Sequence, residues 1–90
     1  MQKREIIVKI IVQDIRHNML LNGLQGIGLV DDERYTLNID QIVAELMGKQ
    51  PTDDWMNTYW QTMVKLQPNM TPKEQVSVAN NLFESLCHLQ

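Results

Sequence analysis

This sequence is short of the residue types that build disulfide-bonded, membrane-spanning or nucleic-acid-binding proteins. It has one cysteine, Cys87, so no internal disulfide can form, and a reducing cytoplasm is the expected location. No uncharged apolar run is long enough to span a bilayer, and no cleavage site follows the apolar N-terminal segment. Eight basic residues stand against eleven acidic ones, and this net charge of −3 argues against nucleic acid as a partner.

Side chains that could carry catalysis or bind a cofactor are also few. His17, Cys87 and His88 are the main soft metal ligands, and adjacent helical residues point about 100° apart instead of toward one ion. The glycines of segment 23–28 follow a predicted helix, whereas a phosphate-binding loop follows a strand and opens a helix. The acidic cluster 31–33 lacks the alternating ligands of a calcium loop. We therefore expect no enzymatic activity, metal, cofactor or small-molecule ligand.

The pattern of apolar residues predicts a small all-α bundle. The 90 residues suit a single domain, 1–90, and 43% of them are hydrophobic, which is enough for one core. Apolar positions recur every three or four residues, as they do in amphipathic helices. About four helices are predicted, at approximately 4–22, 39–47, 53–66 and 72–89. The last begins with a capping box, Thr71 to Glu74, with proline at its first helical position, and Thr52 is the expected cap of the third.

Two parts of the chain allow an alternative reading. The glycine-containing joint 23–38 is expected to end the first helix at its glycines, and within it 28–38 suits a short β-hairpin or an irregular loop equally well. Segment 6–12 is rich in β-branched residues, so a strand there would make the fold α+β. We favour the helix because polar residues recur in this segment at helical spacing.

The first predicted helix carries more apolar surface than one face can hold. Such a helix either lies at the centre of its domain or shares its surface with a partner. Three other short helices have little surface with which to enclose it, so we expect a symmetric homodimer formed through this helix. The interface candidates on it are Ile6, Ile7, Ile10, Ile11 and Met19.

Two tryptophans add a second candidate contact surface. Trp55 and Trp60 are expected at the edges of the third helix's apolar stripe, where a tryptophan either packs the core or anchors a partner. The leading hypothesis is therefore a protein–protein interaction module that acts as a homodimer or binds another protein. The alternative is a helix-turn-helix-like nucleic-acid-binding module formed by the second and third helices. Asp53 and Asp54 weigh against this alternative because phosphate would approach the helix where they stand.

Overall fold

The computed structural model describes residues 3–25, 39–46, 48 and 52–89, and within them it contains four helices and no strand. The helices are α1 (Lys3–Gln25), α2 (Ile39–Leu46), α3 (Asp53–Val64) and α4 (Pro72–His88). The all-α prediction is confirmed, and the strand alternative for 6–12 is wrong because that segment lies inside α1. The hairpin or loop considered for 28–38 falls outside the described residues.

The helix boundaries agree with the sequence where a capping side chain sets them. Thr52 Oγ1 accepts a hydrogen bond from the Trp55 N–H at 3.2 Å, and Thr71 and Glu74 form the expected capping box. Gly48 follows α2 with a φ of 64°, a left-handed conformation that glycine adopts at low cost. The predicted stop at Gly23 is wrong: α1 continues to Gln25, because one glycine inside a long helix costs only about 1 kcal/mol.

Helix α1 is the central element of the described part of the chain. It contacts each of the other three helices, and its most extensive contact is with α4. Four isoleucines of α1 are buried, namely Ile7, Ile10, Ile11 and Ile15. They share one core with apolar residues of the other helices and of the turn after α3: Ile42, Val43, Trp55, Tyr59, Met63, Leu66, Ala79, Leu82, Phe83 and Leu86. The chain itself therefore encloses much of the apolar surface that α1 carries.

The sequence pattern places the buried stripe of α1 on Ile7, Val8, Ile11, Val12, Ile15 and Met19. The three isoleucines are buried, but the buried face is rotated from this stripe toward the row through Ile10. The row Ile10, Asp14 and Asn18 is buried, whereas Val8 and Val12 are only half-buried. Successive residues of an α-helix are 100° apart, so the row through Ile10 and the row through Val8 diverge by roughly 160°. The row through Ile10 faces the core, and Val8 and Val12 pack against its edge. The buried row includes two polar residues, and the valines lie at the side of the helix.

This rotation predicts different costs for two isoleucines that look alike in the sequence. Ile10 is 8% exposed and Ile6 is 37% exposed. We expect Ile10→Ala to lower the free energy of unfolding by about 2–5 kcal/mol, because it removes buried methyl groups and leaves a cavity. Ile6→Ala should cost less than half as much. Urea denaturation of both variants measures this difference, and equal costs would show that the rotation is wrong.

Candidate functional site

A groove runs between α1 and α4, and we call it the α1–α4 groove. Its volume is about 660 Å³. The described residues that line it belong to these two helices: Arg4, Glu5, Val8, Lys9, Val12, Gln13, Arg16, Val76 and Asn80. It is larger than the depressions on α3 and beside the turn after α3, and it combines apolar and charged side chains, so it is the leading candidate site.

The floor of the groove is made of three valines. Val8 and Val12 are half-buried, and Val76 is 45% exposed. The helical pattern of α4 places Val76 on its buried face, and this expectation is wrong. Ala79, at the centre of the buried face, is fully enclosed, and Val76 stands roughly 60° to one side of it. The three valines therefore offer an apolar strip to an incoming side chain.

Side-chain contacts at both ends of the groove hold its two walls together. At one end, Arg4 pairs with Glu84, donates to Asn80 Oδ1 at 3.1 Å, and lies 4.7 Å from the centre of the Phe83 ring. At the other end, Arg16 Nε donates to Gln75 Oε1 at 2.9 Å. The beginning of α1 thus contacts the end of α4, and the middle of α1 contacts the beginning of α4. The two helices therefore run antiparallel.

Gln75, which accepts the hydrogen bond from Arg16, makes a second hydrogen bond of its own. Gln75 is buried, and its Nε2 donates to the Met70 carbonyl at 3.1 Å. Both ends of its amide are therefore used, which satisfies the rule that buried polar groups are hydrogen-bonded. The amide fixes Arg16 relative to the turn that precedes α4.

The lining of the groove is positively charged, although the whole chain is acidic. Three cations and the Glu5 carboxylate give it a net charge of +2, against −3 for the chain. Lys9 makes no ion pair within the part of the chain that the structure describes. Arg4 is already paired with Glu84, and Arg16 makes no ion pair in the described part of the chain either. An apolar floor beside Lys9 and Arg16 is complementary to a surface that carries apolar and acidic side chains together.

A surface with those properties lies on α3, and we call it the α3 patch. It is a shallow depression of about 460 Å³. The residues that line it are Asp53, Asp54, Met56, Asn57 and Trp60. Met56 is exposed and Trp60 is half-buried, and the two carboxylates give the patch a net charge of −2.

A second candidate is a group of polar side chains inside the core. Asp14 and Asn18 of α1 are fully buried, as are Trp55 and Tyr59 of α3. The Tyr59 hydroxyl donates to Asp14 Oδ2, and Asn18 Nδ2 donates to the Asp14 carbonyl at 2.7 Å. The rings of Trp55 and Tyr59 stack with their centres 5.5 Å apart and their planes 6° apart. The Tyr59–Asp14 bond joins α1 to α3.

This buried group is better suited to positioning helices than to chemistry. Asn18 Oδ1 and Trp55 Nε1 have no hydrogen-bond partner among the residues described, and each such atom costs about 1–3 kcal/mol. A slip of α1 by one turn would move Asp14 about 5.4 Å and break its contact with Tyr59. The group therefore selects one register of α1 on α3, and none of the concave surfaces described here includes its residues.

The interface residues expected from the sequence do not form one surface. Ile7, Ile10, Ile11 and Trp55 are buried in the core. Ile6 is exposed and Met19 half-buried, and neither lines the groove or the patch. Trp60 alone belongs to one of these surfaces, the α3 patch. Their role as contact residues stays a prediction.

The sequence of α1 contains a signal for the groove that differs from the pattern of the buried face. Arg4, Val8, Val12 and Arg16 follow one another at intervals of four, which places them along one ridge of a helix. An apolar pair between two arginines on a single ridge is typical of a side that is neither fully buried nor fully solvated. The contribution of α4 could not be found in this way, because it depends on how the helices pack.

The surface that would face a DNA groove in the helix-turn-helix hypothesis is not basic. Asn57 and Gln61 are exposed on α3, and the Thr62 hydroxyl donates to the Thr58 carbonyl at 2.9 Å. Helix α3 itself contains two aspartates and no lysine or arginine, and Lys65 follows its end. Nothing in the geometry of this helix adds support to nucleic-acid binding.

The remaining chemical groups add no metal or nucleophilic site among the described residues. No three His, Cys, Asp or Glu side chains in that part of the chain are placed to hold a metal ion. Burial raises the pKa of the Cys87 thiol, and Glu84 raises it further while Arg4 opposes both, so the thiol stays protonated near neutral pH. Among the described helices, none has the length and apolar content to cross a membrane.

The Tyr59–Asp14 bond makes a prediction about alkaline pH. Burial, followed by the Asp14 charge and the hydrogen bond to it, raises the pKa of Tyr59 far above the ordinary value of about 10. The neutral phenol is thus favoured in the folded state, and this stabilisation is complete below about pH 10 and is lost as the pH rises above it. The substitution Tyr59→Phe should lower the free energy of unfolding by about 1.5–3 kcal/mol at pH 7, because Asp14 loses a hydrogen-bond donor.

The two proteins should then differ in how their stability depends on pH. The free energy of unfolding of Tyr59→Phe should fall less steeply between about pH 10 and pH 11.5 than that of the wild type. Urea denaturation at a series of pH values measures both slopes. Equal slopes would mean that Tyr59 ionises in the folded protein as freely as in the unfolded chain.

Comparison with known proteins finds no relative for this arrangement: no protein-family model, curated protein or solved structure matches the chain.

Proposed function

We propose that this chain is a protein–protein interaction module of the cytoplasm that works as a homodimer and makes its contact through the α1–α4 groove. The observation that carries the proposal is the groove's composition. Its three valines form an accessible apolar floor, and its lining has a net charge of +2 in a chain of net charge −3. Clustered charge of the minority sign beside apolar surface is characteristic of recognition surfaces.

The basis for the dimer is different from the one that the sequence suggests. Ile7, Ile10 and Ile11 pack against the chain's own helices, so the proposal places the contact on the valines of the groove instead. The valines of the groove remain accessible because the rotation of α1 leaves them at its side. A partner that covers them removes apolar surface from water, which is the main driving force of protein association.

A second copy of the chain is the partner that the charges favour. Two copies that each carry a charge of −3 repel one another in most orientations. The groove is an exception, because its cations attract acidic side chains of the opposing copy. Electrostatic attraction confined to one place selects a defined mode of association and leaves other contacts unfavourable.

The proposal predicts that a charge placed in the groove weakens the dimer, whereas the same charge elsewhere does not. Val76→Glu introduces a carboxylate into the apolar floor, and it should raise the dissociation constant of the dimer by about tenfold or more. Val64 is the matched control: it is 40% exposed, compared with 45% for Val76, and it lines neither the groove nor the α3 patch. Val64→Glu should leave the dissociation constant within about threefold of the wild type.

Light scattering and sedimentation over a range of protein concentrations measure the molar mass of all three proteins. Circular dichroism shows whether each variant keeps the helix content of the wild type. A wild type that remains monomeric at high micromolar concentration would contradict the homodimer. A dimer weakened equally by Val76→Glu and Val64→Glu would contradict the assignment of its contact to the groove.

A further inference from the structure

We infer that the α1–α4 groove of one copy binds the α3 patch of the other, and that the second groove and patch bind in the same way across a twofold axis. This inference rests on the proposed homodimer and adds the surface that fills the groove. The two surfaces belong to the same chain and use different helices. Each copy therefore offers one groove and one patch, and a dimer can use all four.

The charges of the two surfaces are opposite and equal in size. The lining of the groove carries +2, and the α3 patch carries −2 from Asp53 and Asp54. Both aspartates are exposed in the first turn of α3, and Lys9 is exposed on the groove. Pairing the surfaces brings unlike charges together, whereas groove against groove or patch against patch would bring like charges together.

The apolar parts of the two surfaces are complementary as well. The patch presents Met56 and Trp60 beside its carboxylates, and the groove presents its valine floor beside its cations. Methionine adapts its shape to an irregular apolar surface, and tryptophan is enriched among the residues that dominate binding energy. Each side thus supplies both an apolar and a charged element.

Twofold symmetry makes such a contact more effective than a single one. A stable dimer buries at least about 1,200 Å² in total, and a contact made twice halves the area that each groove and patch must supply. The symmetry also repeats every substitution, so a change in one side chain alters two contacts. Modest charge changes should consequently have measurable effects.

Two charge-changing variants test the pairing. Lys9→Glu with Gln13→Glu changes the lining of the groove from +2 to −1, and Asp54→Lys with Asn57→Lys changes the patch from −2 to +1. Each protein alone then brings like charges together at both contacts. We expect each to raise the dissociation constant of its own dimer by about tenfold or more.

Mixing the two variants is the decisive measurement. In a mixed dimer the acidic groove of one protein meets the basic patch of the other, and the unaltered groove meets the unaltered patch. Both contacts regain opposite charges, so an equimolar mixture should form a heterodimer under conditions in which each variant alone is monomeric. Light scattering gives the molar mass, and a fluorescent label on one variant identifies the mixed species.

A control variant distinguishes the effect of charge on the α3 patch from the effect of the net charge of the whole chain. Glu45→Lys with Gln61→Lys makes the same change in charge at exposed positions outside the groove and the patch, and it should leave the dissociation constant within about threefold of the wild type. If the wild type is a dimer and the patch variant Asp54→Lys with Asn57→Lys has the same dissociation constant, this inference is wrong and the proposed function still stands. A monomeric wild type would overturn both.

Two further outcomes would also overturn the inference. One is a mixture of the two variants that stays monomeric. The other is a molar mass that grows without limit as the wild-type concentration rises, because groove-to-patch contacts that do not close about a twofold axis build chains.

Raising the salt concentration from about 0.05 M to 0.5 M should weaken the wild-type dimer, since the paired charges lie near solvent.

Discussion

The hydrogen bond from Tyr59 to Asp14 is the contact on which the arrangement of α1 depends. Burying a carboxylate is costly, and a donor in the core makes it tolerable only in the orientation that reaches that donor. Asp14 must therefore face α3, and Ile10 and Asn18, one turn away on either side, face the core with it. An α1 with its valines in the core would be more apolar but would leave Tyr59 without its acceptor.

The groove follows from this choice. With the row through Asp14 in the core, Val8 and Val12 are left at the side of α1, where α4 covers them only in part. The contacts of Arg4 and Arg16 with α4 then fix the separation of the two walls at both ends. A polar contact in the core thus determines which apolar residues remain accessible, although it is not itself part of the accessible surface.

The sequence predicted the local structure more fully than it predicted the packing. The all-α fold, the capping threonines and the stop at Gly48 depend on side chains within a few residues of the helix ends, and such signals can be read from a single sequence. The extension of α1 beyond Gly23 was missed because glycine permits either a stop or a continuation, and the surroundings decide which occurs.

The sequence does not decide which side of a helix meets its neighbours. The pattern of α4 places Val76 on the buried face, yet Val76 is exposed. The charged Asp14 is buried, and Trp55, for which the sequence allows both the core and a contact surface, is enclosed. Hydropathy ranks Val76 above Asp14 for burial, and it carries no information about a tyrosine hydroxyl contributed by another helix. The groove was hidden for the same reason, since one wall comes from α1 and the other from α4.

The position of the charges links the fold to the proposed dimer. An acidic chain of 90 residues gains solubility from its net charge and resists nonspecific contact with its own copies. Three cations lie along the α1–α4 groove, and in the proposed dimer this repulsion would be reversed there. Binding there also stabilises the fold, because a partner that recognises only the folded state adds its binding energy to folding. In a domain with a small core, formation of the proposed dimer would therefore also stabilise the helices that form the groove. The free energy of unfolding would then rise with the concentration of the chain.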